Sequence, residues 1–244
     1  MRHFLLCLLM LFVAMAAFGQ QDYVSRFDTF AGYSYLSTPN LSLNQSGANF
    51  EGGVNVTRWL ALGADYSFFD GNSTLLPKQL TPALQAELNG AFTPPFSAFP
   101  APIPAELGMF FGANPNYSLK VPYDASTWTF AAGPQINYRH FSAVTLFIRP
   151  DLGVLHEGVT AKPGATDLPA QLAVQTLVPG GKKSDNVTFY GVGGGFDINA
   201  SKHVGIRFTV DYVHCFLFKS LLADSRNSIR FSVGPTFRFG GNVK

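Results

Sequence analysis

Charge is scarce in this 244-residue chain: 13% of residues are Asp, Glu, Lys or Arg against 14% aromatic, where an ordinary soluble domain carries about 25% charged residues. A surface so poor in charge must face something other than water. Cysteine is nearly absent as well. Cys7 lies in an N-terminal apolar run and Cys215 is the only other one, which excludes a disulfide-stapled secreted domain. Beyond that run, no stretch is apolar over the ~20 residues that a membrane-spanning helix needs. The net charge is +2 and no basic cluster is interleaved with aromatics, so nucleic acid is not an expected partner. Gly-x-Ser-x-Gly, phosphate-loop and His/Cys metal-ligand spacings are all missing, so neither cofactor nor metal is expected.

What is present begins with a leader. Met1-Arg2-His3 precedes an apolar run from Leu5 to Phe18, and Ala16, Ala17 and Gly19 supply small residues before Gln20. This pattern predicts a signal peptide over 1–19, cut after Gly19. Residues 20–244 then form one exported domain.

Eight segments of that domain alternate between apolar and polar residues with the period of two that marks a strand. They are Arg26–Leu36, Ala48–Thr57, Leu60–Asp70, Thr127–Tyr138, Val144–Glu157, Asn186–Ile198, His203–Phe216 and Ser228–Phe239. In the seventh, Val204, Ile206, Phe208, Val210 and Tyr212 oppose Gly205, Arg207, Thr209 and Asp211. Two segments sort less cleanly: Phe30 falls among polar residues in the first, and the Gly191–Gly195 run leaves the faces of the sixth undefined. Pro134 and Pro235 each remove a ladder donor, so bulges or bends are expected there.

The polar face shows which side points outward. It carries Gly, Ser, Thr and Asn with isolated charges, whereas Lys78, Lys120, Lys162, Lys182, Lys183 and Lys219 fall in the expected connections. Small residues and paired charges suit the inside of a narrow barrel, which leaves the apolar face to lipid. Short connections at Arg58-Trp59, Arg139–Ala143 and Asn199–Lys202 alternate with long ones at Ser37–Ser46, Gly71–Ser126, Ala161–Ser184 and Lys219–Asn227. Tight periplasmic turns and larger external loops alternate in this way in outer-membrane barrels. The expectation is an all-β, transmembrane, antiparallel up-and-down β-barrel of about eight strands with long external loops, set in bacterial outer-membrane lipid. Ten strands remain open if part of 71–126 forms another hairpin.

Gly32-Tyr33-Ser34-Tyr35-Leu36, the glycine-rich sixth segment, Arg207 with Asp211-Tyr212, and Phe231-Ser232-Val233-Gly234 together resemble the small eight-stranded OmpA-like outer-membrane barrel family. The resemblance spans the exported chain and implies insertion by the barrel-assembly machinery. Two features depart from the family. The chain runs on through Gly240-Gly241-Asn242-Val243-Lys244 where such barrels commonly end on an aromatic residue, which makes Phe237 and Phe239 the substitutes. The second long loop is also unusually large. No separate peptidoglycan-binding module is expected.

The inward charges are Asp28, Glu51, Asp65, Arg149, Asp151, Arg207, Asp211, Arg230 and Arg238. They read either as a salt-bridge network that plugs the lumen or as a charged constriction that selects solutes. A plugged, structural barrel serving surface interaction or envelope integrity is the leading reading, and a narrow porin-like channel is the alternative. An enzyme is the third reading: His156, Glu157, Asp211 and His214 lie near strand ends, but alternation puts both histidines on the lipid face, away from the acids. The loop 71–126 is rich in Pro and Phe and includes a short expected helix around 81–88. It is expected either to be disordered or to pack over the barrel mouth and meet an extracellular partner.

Overall fold

The computed structural model describes residues 21–224 and 227–243, and the expected signal peptide at 1–19 lies outside them. Eight antiparallel strands form a closed barrel in chain order. They are β1 (Ser25–Thr38), β2 (Leu43–Asn55), β3 (Leu60–Leu75), β4 (Val121–Tyr138), β5 (Val144–Ala161), β6 (Lys182–Asn199), β7 (Val204–Cys215) and β8 (Asn227–Asn242). β1 pairs with β8 from Phe27 opposite Phe239 to Ser37 opposite Ile229. Closure matters in hydrocarbon, where an unpaired backbone group costs several kcal/mol.

Alternation is inverted relative to a soluble barrel. Tyr33, Phe50, Leu62, Phe130, Ile148, Leu152 and Phe231 are exposed on the outside, while Ser34, Asn49, Ser67, Thr145 and Thr236 are buried inside. Aromatic residues mark both borders of the outer band, as lipid–water interfaces favour. At one border Trp128 stacks between Tyr66 and His156, with ring centroids 6.4 and 5.6 Å away. At the other, Phe27 stacks on Phe239 at 5.5 Å. The start of β1 and the end of β8 lie at this second border, where Ser25 pairs with Asn242.

The two ambiguous segments resolve through packing. Phe30 does point inward and is buried. Its ring occupies the place of a side chain at Gly32, where a Cβ would sit 2.5 Å from Phe30 Cζ. In β6 the inward positions are Phe189, Gly191, Gly193, Gly195 and Asp197, the last of which sequence reasoning missed.

Several expectations need correction. The first long connection, expected at 37–46, shrinks to 39–42, a single 3-10 turn (Pro39–Leu41) followed by Ser42 at φ 51. It is as short as the turn at 56–59, so the alternation of long and short connections is not strict. Strands also run beyond the outer band: β5 reaches Ala161, and β6 starts at Lys182, which places Lys182 and Lys183 in a strand. Neither proline makes a bulge. Ala132 opposite Leu152 and Ile136 opposite Ile148 hold one register across Pro134, and Phe30 opposite Thr236 and Tyr33 opposite Val233 hold one across Pro235. The first of these registers sets Pro134 facing Pro150, so two missing donors share one gap in the ladder. The eight strands of the closed barrel leave no place for an extra hairpin in 71–126.

The connection 76–120 folds into a cap. It holds α1 (Pro82–Ala91) and α2 (Ile103–Ala113), and the next long connection adds α3 (Leu168–Leu177). α1 covers the helix expected around 81–88, while α2 and α3 were not foreseen. Leu107 on α2 is fully buried against Phe96 and Leu172. Leu80 pairs with Leu222 across loops, and Thr81 N donates to Leu221 O at 3.0 Å. Tyr117 Oη donates to Asp167 at 2.6 Å, and the same carboxylate caps α3 through Ala170 N at 3.1 Å. Burial, followed by this contact with Asp167, raises the Tyr117 phenol above its ordinary range.

Candidate functional site: the lumen and its cap

The lumen changes chemistry along its length. In the part enclosed by the outer apolar band, inward residues are mostly small, polar or charged, with Phe30 and Phe147 as aromatic exceptions. Toward the capped end, Ala125, Leu155, Phe189 and Val213 turn inward and merge with loop residues Leu41, Leu80, Phe218 and Leu221 into one apolar cluster.

The structure places all nine charged residues singled out in the sequence, Asp28, Glu51, Asp65, Arg149, Asp151, Arg207, Asp211, Arg230 and Arg238, inside the lumen and buried. Arg207 on β7 donates from Nε and Nη2 to both oxygens of Asp197 at 2.8 and 3.0 Å, and from Nη1 to Glu51 at 2.7 Å. Asp28 lies 3.8 Å from Arg207 Nη2, and the Phe147 ring centroid is 5.0 Å from its guanidinium carbon. Arg149 on β5 reaches Asp151 at 2.8 Å, Glu51 at 3.2 Å, Asp211 at 3.4 Å and Asp65 at 3.7 Å. Arg230 on β8 bonds Asp65 at 2.7 Å and Asp211 at 2.8 Å, with Thr129 of β4 at 3.4 Å. Arg238 joins Asp197 at 2.8 Å and Asn199 at 2.7 Å.

Four arginines thus meet six carboxylates, with donors and acceptors drawn from every strand of the barrel. The planar guanidinium fork allows each arginine to serve several acceptors at once. Glycine clears the space this requires. A Cβ at Gly193 would lie 1.8 Å from Asp211 Oδ1, so only glycine fits beside that carboxylate. The void left among Asp28, Glu51, Arg149 and Arg207 is ≈ 10 Å³, roughly the ~10–15 Å³ that one water molecule needs.

The four residues considered for catalysis stay apart. His156 and His214 lie on the outer face, where each Nδ1 pairs with an asparagine, Asn186 at 2.8 Å and Asn227 at 3.0 Å. Glu157 and Asp211 are buried on the inner face. Among the described residues no group of three His, Cys, Asp or Glu side chains could hold a metal ion.

A larger cavity, ≈ 60 Å³, lies under the cap, walled by side chains from the first turn, β3, β4, β5, α3 and the last loop. Tyr123 and Glu157 are the polar residues in this otherwise apolar wall. Sequence reasoning did not find it, because its lining comes from six separate stretches of chain.

No protein-family model matches the sequence, and no curated protein matches it. Among solved structures, the chain is similar to Neisserial surface protein A at 12% identity, covering 87% of this chain and 96% of that one, with a TM-score of 0.49. It is similar to the attachment invasion locus protein Ail of Yersinia pestis, in complex with the heparin analogue sucrose octasulfate, at 13% identity, 88% and 97% coverage and a TM-score of 0.45. It is also similar to the outer membrane protein OprG from Pseudomonas aeruginosa at 10% identity, 91% and 100% coverage and a TM-score of 0.46. The likeness is one of fold alone.

Proposed function

We propose that this protein is a structural barrel of the bacterial outer membrane, closed along its lumen, whose capped end faces outward and forms the interacting surface. The observation that carries this reading is the ion-pair network, in which four arginines and six carboxylates fill the bore and the void beside Asp28, Glu51, Arg149 and Arg207 is only ≈ 10 Å³. A bore filled by paired charges resists opening, since freeing one partner leaves an uncompensated buried ion and costs about 3–5 kcal/mol. The cap supports the second half of the proposal: 76–120 is packed and hydrogen-bonded to the last loop, so it presents a defined shape at the barrel mouth. Phe237 and Phe239 face outward near the end of β8, and we assign them to recognition by the barrel-assembly machinery.

Two measurements test the proposal. Protease added to intact cells is expected to cut within 76–120 and to spare the strands, and full protection of that loop would overturn the assigned orientation. Liposomes carrying the purified protein are expected to exclude small sugars in a swelling assay. Swelling with trisaccharide-sized cut-off would favour the porin-like channel instead.

A further inference from the structure

We propose that the cavity beneath the cap is a binding site for a small amphiphile: a short aliphatic body carrying a single amine or hydroxyl, with that head resting on the Glu157 carboxyl. This goes beyond the structural role and stands whether or not the lumen conducts.

Three observations converge. The cavity, at ≈ 60 Å³, is several times the roughly 10–15 Å³ that one water needs. Its walls are Leu41, Val159, Leu177, Phe218 and Leu221 with their neighbours, and Tyr123 and Glu157 are the polar residues among them. An apolar chamber of this kind holds water poorly and takes hydrocarbon in its place.

Glu157 is also under-partnered. It is 4% exposed, and its contact with Thr127 Oγ1 is long, at 3.4 Å. That hydroxyl has a nearer acceptor in Gln45 Oε1 at 3.1 Å. The four buried arginines pair with other carboxylates deeper in the lumen. A carboxyl buried among Leu and Val side chains without a full partner costs free energy that an incoming N–H or O–H would recover. The same carboxyl disfavours a ligand that carries an acid of its own.

The level in the barrel fits an amphiphile. Thr127 pairs with Glu157 one step beyond Trp128 and His156, which mark the border of the outer apolar band. The head would therefore sit at the depth of the lipid–water interface, with the body directed into the cap.

The test uses the full exported chain in lipid nanodiscs, with Leu and Val methyl groups labelled for NMR. Butylamine, butanol, butyrate and pentane are the probes. Butylamine and butanol are expected to shift the Leu177, Val174 and Leu221 methyls saturably, butyrate to leave them unmoved, and Glu157→Gln to weaken butylamine at least ten-fold while pentane is unaffected. Outward Leu62, Leu152 and Val192 report simple partition into the bilayer. Cavity methyls that move only in step with these, butyrate binding as well as butylamine, or butylamine binding unchanged by Glu157→Gln would each overturn the proposal. If Glu157→Gln does not fold, Val174→Phe fills the chamber from α3 without altering the barrel wall. It must abolish the cavity shifts, and shifts that persist in it overturn the site.

Discussion

The lumen and the cap close the same barrel by opposite means. In the lumen, closure is directional: each arginine must meet carboxylates from particular strands at 2.7–3.8 Å, so one register satisfies it. In the cap, closure is apolar and non-directional, with Leu80, Leu88, Phe218 and Leu222 in one cluster, and residual space remains. The contrast follows from what surrounds each region. Lipid takes the outward apolar residues of the barrel, leaving polar groups to satisfy one another inside. Above the membrane water takes the polar groups, and the loops bury their apolar side chains as a soluble protein does. Fixed structure is thus concentrated in the lumen, and room for chemistry lies under the cap.

The largest expected effect is in the lumen. Arg207→Leu leaves Asp197 and Glu51 short of a partner and should cost about 3–5 kcal/mol, read as a lower urea midpoint for unfolding from lipid vesicles. A loss below about 1 kcal/mol would mean that the network does not hold the barrel together. Leu107→Ala empties a fully buried site in the cap and should cost about 2–5 kcal/mol there alone. Faster proteolysis within 76–120 with an unchanged barrel midpoint would show that the two regions are energetically separate. An equal fall in both would erase the distinction.

Gly193→Ala forces a Cβ into Asp211 and is expected to cost about 1–3 kcal/mol by overpacking. Gly52→Ala, with open space around it, should be close to neutral in the same titration. Tyr117→Phe has the smallest expected effect, about 0.5 kcal/mol for one partly exposed hydrogen bond. The pH dependence of this contact has a definite sign. Folding raises the phenol pKa, so the stabilisation is complete below the ordinary phenol value of about 10 and is lost as pH climbs through the raised one. The rate of proteolysis within 76–120 should therefore stay level through neutral pH and rise only in strong alkali.

The legibility of the fold in the sequence tracks the same contrast. Alternation marks a strand where the two sides differ chemically, so the phases of β3, β4 and β7 could be read directly from residues such as Leu60–Asp70. Beyond the apolar band both sides are polar or mixed, the alternation fades, and the extensions at Gly158–Ala161 and Lys182–Asp185 carry no strand signal. Asp197 was missed because Gly191–Gly195 carries no side chains to sort. The prolines misled because a lost donor can be matched by another across the gap as well as by a bulge. The cap cavity had no sequence signature at all, since Leu41, Glu157 and Phe218 meet only once the barrel has closed.

The central claim is that charge pairing seals the lumen, and single-channel recording in planar bilayers tests it most directly. The protein is expected to give no discrete openings, and Arg207→Ala to give either none or irregular leakage. Reproducible unitary openings of the unaltered protein, abolished by Arg207→Ala, would contradict it.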